Sequence, residues 1–168
     1  MKRSPIQLLR LTLIKIAIEP VENGDLELTS TPFDFDKVPF QTSKSIGKFP
    51  AYWEGNKPPL EGLENSTYHV ALGVRTPPDK SDIGPYKFEI VYAGVIAVLK
   101  HSPESKISER DMALQYGLTL LWGAVREQLS TLTHKMPHGA AMLPTMSFMD
   151  EKDAVTQESV RGNSLLEE

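Results

Sequence analysis

The spacing of apolar positions changes period along the chain, and each change predicts an element. Residues 7 to 19 are rich in Leu and β-branched residues. Leu9, Leu11 and Leu13 share one phase of a period of two, and Ile14, Ile16 and Ile18 take the other. This predicts a strand with a bulge near Leu13, or one buried on both faces partway along. TYHVALGVRT, residues 67 to 76, alternates cleanly and puts Tyr68, Val70, Leu72 and Val74 on one face. The turn-forming run TPPDKSDIGP follows. YKFEIVYAGVIAVLK then begins as a half-exposed strand, with Phe88, Ile90 and Tyr92 opposed to Lys87 and Glu89. From Val91 onward it is apolar on both faces. The short separation makes these two strands an antiparallel pair.

The period then lengthens. Leu114, Leu118, Leu121, Trp122, Val125, Leu129 and Leu132 recur three and four apart, which predicts a long amphipathic helix. Ser108 opens it, with Asp111 three residues on as a variant capping box. Gly117 and Gly123 interrupt it, each at a cost of about 1 kcal/mol against Ala. Such glycines imply a close approach there, such as that of another helix. Pro137 and Gly139 end the helix, and an apolar run ending at Phe148 follows.

Residues 20 to 66 hold no comparable pattern beyond one short strand. They are punctuated by Pro and Gly, yet contain Phe33, Phe35, Phe40, Phe49, Tyr52 and Trp53. Disordered linkers are poor in aromatics, so this segment is expected to pack on the domain or to bind something. Residues 1 to 149 read as one domain, and residues 150 to 168 as a polar, acidic tail, weakly helical or disordered.

Composition narrows the functional classes. A net charge of −4 argues against non-specific nucleic-acid binding. With no Cys there is no disulfide framework and no thiol chemistry, as suits a reducing, cytoplasmic setting. Arg10 and Lys15 interrupt the N-terminal apolar run, so it reads neither as a signal peptide nor as a membrane span. His134 and His138 are four apart, but Pro137 lies between them and no carboxylates complete a metal site. No phosphate-binding glycine loop or nucleophile elbow is present. The expectation is a non-enzyme without metal or cofactor. The alternatives are a binding protein for apolar partners and an assembly subunit. Met136, Met142, Met146 and Met149, beside the aromatic segment, favour binding.

LLWGAVREQLSTLTHKMPHGAAMLPTMSF, residues 120 to 148, resembles the C-terminal core of the SecB-type export chaperone family. Ala124, Arg126 and Glu127 are similar to the family's Ala-Arg-Glu, with Val125 inserted; Ser130 and Leu132 continue it. Leu143, Pro144 and Phe148 resemble the terminal Leu-x-Pro-x-x-Phe with one extra residue. IQLLRLTLIKIAIEP is similar to the family's first strand, and YKFEIVYAGVIAVL to its strand with a central glycine, here Gly94.

The resemblance implies an α+β fold, a four-stranded antiparallel sheet with a long packing helix. It implies a homotetramer, a dimer of dimers, with Gly117, Trp122 and Gly123 in helix packing. It also implies ATP-independent holding of unfolded or aggregation-prone chains. The expected client-binding residues are Phe33, Phe35, Phe40, Phe49, Tyr52 and Trp53, with Met142 and Met146. The family's two acidic positions for docking on the SecA translocase align with Lys15 and Glu19, so one acid has become a base. That reversal argues against ordinary SecA docking. It favours a dedicated client such as an antitoxin over general preprotein export.

Overall fold

The computed structural model describes residues 4–22, 40–48, 66–80, 84–99 and 104–152, and the backbone of 33–34. Four strands form one antiparallel sheet: β1 (Ile6–Pro20), β3 (Gln41–Lys48), β4 (Thr67–Arg75) and β5 (Tyr86–Val98), in the order β1-β5-β4-β3. Two-residue strands β2 (Phe33–Asp34) and β6 (Ala141–Met142) pair in parallel beside it. One helix, α1 (Glu109–Thr133), packs on a single face of the sheet. This is the expected α+β architecture.

The β1 pattern is resolved by two irregularities in its pairing with β5. Register shifts fall between Leu8 and Arg10 and between Leu13 and Lys15. Each extra residue flips the side-chain phase. Leu11, Leu13, Ile16 and Ile18 consequently lie opposite Gly94, Tyr92, Ile90 and Phe88, all on the helix-covered face. The bulge expected near Leu13 is present, and a second one at Leu9 accompanies it.

The core lies between α1 and the two central strands. Tyr68, Val70, Leu72 and Val74 of β4 are buried, as the alternation predicts. Leu118, Leu121, Val125 and Leu129 of α1 have no exposed surface. Burying each such side chain contributes on the order of 1.5–3 kcal/mol. Leu132, expected on this apolar stripe, is 39% exposed, and Thr133 is buried in its place. The reason is chemical. Thr133 Oγ1 donates to Leu129 O at 2.7 Å and accepts from Ala141 N–H at 2.8 Å, which ties the helix end to β6.

Two glycines permit this packing. A Cβ on Gly117 would sit 3.0 Å from Val70 Cγ2, so the close approach is to a strand and not to another helix. A Cβ on Gly94 would meet Leu8, the Arg10 carbonyl and Leu121, where β1, β5 and α1 converge. At the helix start, Ser108 is the N-cap: its Oγ accepts from Asp111 N–H and donates to Asp111 Oδ2.

Three tyrosines on the covered face tie α1 down along its length. Tyr68 donates to Glu109 Oε1 at 3.0 Å, and Tyr92 to Gln128 Oε1 at 3.0 Å. Tyr86 donates to Gly139 O at 2.7 Å, just beyond the helix. Burial pushes all three hydroxyls above the usual tyrosine pKa, and Tyr68, which also faces the Glu109 carboxylate, is pushed up to about 12. A phenol whose folded pKa is raised contributes stability that is intact below its unfolded pKa and lost as pH climbs toward the folded value. Stability therefore falls above pH ~10. Tyr68→Phe removes part of that alkaline slope, measurable as the denaturant midpoint across pH ~9 to ~11.

Candidate functional site

Beyond α1 the chain turns through residues 134–140, forms β6 and continues beside the helix to Phe148. Ala141, Leu143 and Phe148 enter the core, while Met142, Met146 and Met149 are 38%, 37% and 49% exposed. Helix side chains clamp this hook: Trp122 Nε1–H donates to Pro144 O at 2.9 Å and Arg126 Nε–H to Leu143 O at 2.8 Å. Gln115 donates to Glu151 O, and the Glu151 carboxylate pairs with Lys44 of β3. Leu143 and Phe148, of the run that resembles the family's terminal signature, are buried, and the Pro144 carbonyl is held by Trp122. Sequence did not single out Arg126 as a clamp, because its partner is a backbone carbonyl that leaves no residue-type signal.

Trp122 is the centre of an aromatic platform. Its ring packs on Phe40 at 5.6 Å between centroids and on Phe148 at 5.8 Å. The platform brings together three residues predicted separately: Phe40 from the aromatic segment, Trp122 from the helix and Phe148 from the hook. Phe33 joins the same region through its backbone, since β2 pairs Phe33 with Ala141 and Asp34 with Met142. Phe35, Phe49, Tyr52 and Trp53 lie outside the described residues, as does the tail from residue 153.

A second apolar surface lies on β1, which carries the helix-covered side of the sheet past the edge of α1. Leu8, Leu11, Leu13 and Ile16 are 37–45% exposed there. Leu120 and Leu132 of α1 are similarly exposed. Gly123 is exposed, and a Cβ placed on it would have no described atom within 4 Å. Sequence put Leu132 on the helix stripe and Leu11, Leu13 and Ile16 on apolar phases of a strand, because periodicity reports apolarity and not what covers it.

Lys15 and Glu19 fall on the opposite, outer face, in one shallow depression of about 410 Å³ with Ala17, Arg75, Lys87 and Glu89. Lys15 pairs with Glu89, and Glu19 sits opposite Lys87 in the ladder. Both signs of charge meet on this face, Lys15, Arg75 and Lys87 against Glu19 and Glu89. His138 Nε2 lies 3.0 Å from Val21 O and its ring stacks edge-on to Tyr86 at 5.6 Å. It is a strut between the helix end and β1. Among the described residues no group of three or more His, Asp or Glu could hold a metal ion, and no helix is long and apolar enough to cross a membrane.

No protein-family profile and no curated protein sequence matches this chain. Solved structures do. A SecB-like chaperone of Mycobacterium tuberculosis, solved in complex with a ChAD peptide from an antitoxin, is similar over 84% of this chain and 90% of its own, with a TM-score of 0.52 and 14% identity. A Streptococcus agalactiae protein of unknown function aligns over 83% of this chain and 97% of its own, with a TM-score of 0.45 and 11% identity.

Replacing Trp122 separates its two roles. Trp122→Phe keeps ring packing but leaves Pro144 O without its donor, costing about 1 kcal/mol. Trp122→Ala removes the platform and costs roughly 3–5 kcal/mol. Denaturant unfolding measures both, with amide exchange rising across residues 143–148 in the second variant. The chain shares the fold of a SecB-like chaperone.

Proposed function

We propose that this chain is an ATP-independent holding chaperone for unfolded or aggregation-prone polypeptide, serving a dedicated client such as an antitoxin in the cytoplasm. The observation that carries the reading is the shared fold with a SecB-like chaperone solved with an antitoxin peptide. The exposed Met142, Met146 and Met149, on a hook whose backbone Trp122 and Arg126 hold, supply a chemistry suited to apolar segments of varied sequence. Client contact extends along the aromatic segment through Phe33, Phe35, Phe49, Tyr52 and Trp53, with Met142 and Met146 at its side. The mixed charges around Lys15 and Glu19 favour this reading over general export, because an acidic docking face for a basic translocase surface is missing there.

The reading includes a homo-oligomer, a tetramer built as a dimer of dimers. Leu8, Leu11, Leu13 and Ile16 leave an apolar strip half-exposed on β1, and half-exposed apolar strips of this kind mark interaction sites. Gly123 meets nothing among the described residues, so its missing side chain is accounted for by a second copy approaching the helix.

The purified protein is expected to suppress aggregation of a guanidinium-unfolded enzyme without nucleotide. Tyr52→Ala with Trp53→Ala weakens that suppression and leaves the oligomer size unchanged. Failure of the wild type on several unfolded clients and on an antitoxin would overturn the proposal. Gly123→Leu is expected to shift the mass measured by light scattering from about four copies toward fewer, with the far-ultraviolet dichroism unchanged. An unchanged mass would remove the helix from the assembly face.

A further inference from the structure

Sulfur in this protein is thioether sulfur only: the chain has six Met and no Cys. Thiolates ordinarily consume mild oxidants first, and without them methionine is the sulfur that reacts. The described methionines fall into two environments. Met112 and Met136 are partly buried and packed against the core. Met142, Met146 and Met149 stand out from the hook, 37–49% exposed, within eight residues of one another. The residues between them hold the backbone in place: Leu143 and Phe148 are buried, and the carbonyls of Leu143 and Pro144 are taken by Arg126 and Trp122.

We propose that Met142, Met146 and Met149 form a selective oxidation site for peroxides, at which conversion to sulfoxide makes the hook polar and turns off apolar binding. The consequence for client holding rests on the chaperone reading above; the site itself does not. In each event the sulfur lone pair attacks one peroxide oxygen and the O–O bond breaks. Sulfur gains that oxygen and is oxidised by two electrons, and hydrogen peroxide is reduced to water. The anchors of the hook do not involve the thioethers, so the fold withstands the change. A sulfoxide oxygen must shed water to lie against an apolar segment, which opposes binding where the thioether favoured it. The conversion is undone by enzymes that reduce methionine sulfoxide, so the site can act as a reversible switch.

The test treats the full chain with hydrogen peroxide, removes the peroxide, and maps oxygen addition by peptide mass spectrometry. Met142, Met146 and Met149 are expected to gain one oxygen each before Met112 and Met136 do. Binding of the apolar dye anilinonaphthalene sulfonate, read on the same samples, is expected to fall by roughly half or more. In the variant Met142→Leu/Met146→Leu/Met149→Leu, dye binding after the same treatment is expected to equal that of the same variant before treatment. Oxidation of Met112 and Met136 at the same rate, or undiminished dye binding by the oxidised wild type, would overturn the proposal. If the untreated protein suppresses no aggregation while the order of oxidation and the dye loss hold, the chaperone reading fails and the oxidation site stands.

Discussion

The seating of α1 across β4 and β5 is the constraint on which the rest depends. It brings the helix backbone close to Val70, where a side chain on Gly117 would crowd the Val70 methyls at 3.0–3.1 Å. Three buried tyrosine hydroxyls then fix the helix at its start, near its end and just past it. A buried hydroxyl that loses its partner costs roughly 1–3 kcal/mol, so each tie penalises sliding or rotation of α1 more than it rewards contact. Apolar burial draws the helix to the sheet; the hydroxyls select one placement.

That placement builds both exposed apolar surfaces. With α1 over the central strands, Trp122 and Arg126 can hold two hook carbonyls, which leaves the hook's methionines turned outward. The same placement leaves β1 beyond the helix, so its apolar residues stay half-exposed. A fixed platform on one flank and an uncovered apolar strip on the other follow from one packing decision. The outer face of the sheet is separate in character, with charges such as Lys15 and Glu89 already paired.

Legibility followed the length scale of each interaction. Strands β4 and β5 and helix α1 were visible because burial on one side imposes a period on neighbouring residues, as in Tyr68, Val70, Leu72 and Val74. The Ser108 cap was visible because its partner is three residues away. Both β1 bulges fall at phase reversals in the sequence, Leu8 to Leu9 and Leu13 to Ile14, though only the second was read from the pattern. Leu132 misled because apolarity three residues after Leu129 looks like core, whereas Thr133 occupies the buried site through hydrogen bonds that a hydrophobic pattern does not register. At the candidate site, Phe40 and Phe148 could be chosen for their chemistry, but their meeting on Trp122 depends on the path of the loops between them.

The class of fold came from the family resemblance, whereas by itself the sequence determined the two central strands, the long helix with its cap, the apolar hook and the absence of any thiol. These are local matters, set by period, composition and residues a few positions apart. Tertiary structure decided which apolar residues are covered, that Gly117 serves a strand while Gly123 meets no described neighbour, that Arg126 holds a carbonyl and that Lys15 is neutralised by Glu89. Each of those depends on groups brought together from distant parts of the chain, where the partner is chosen by packing geometry and leaves no periodic trace.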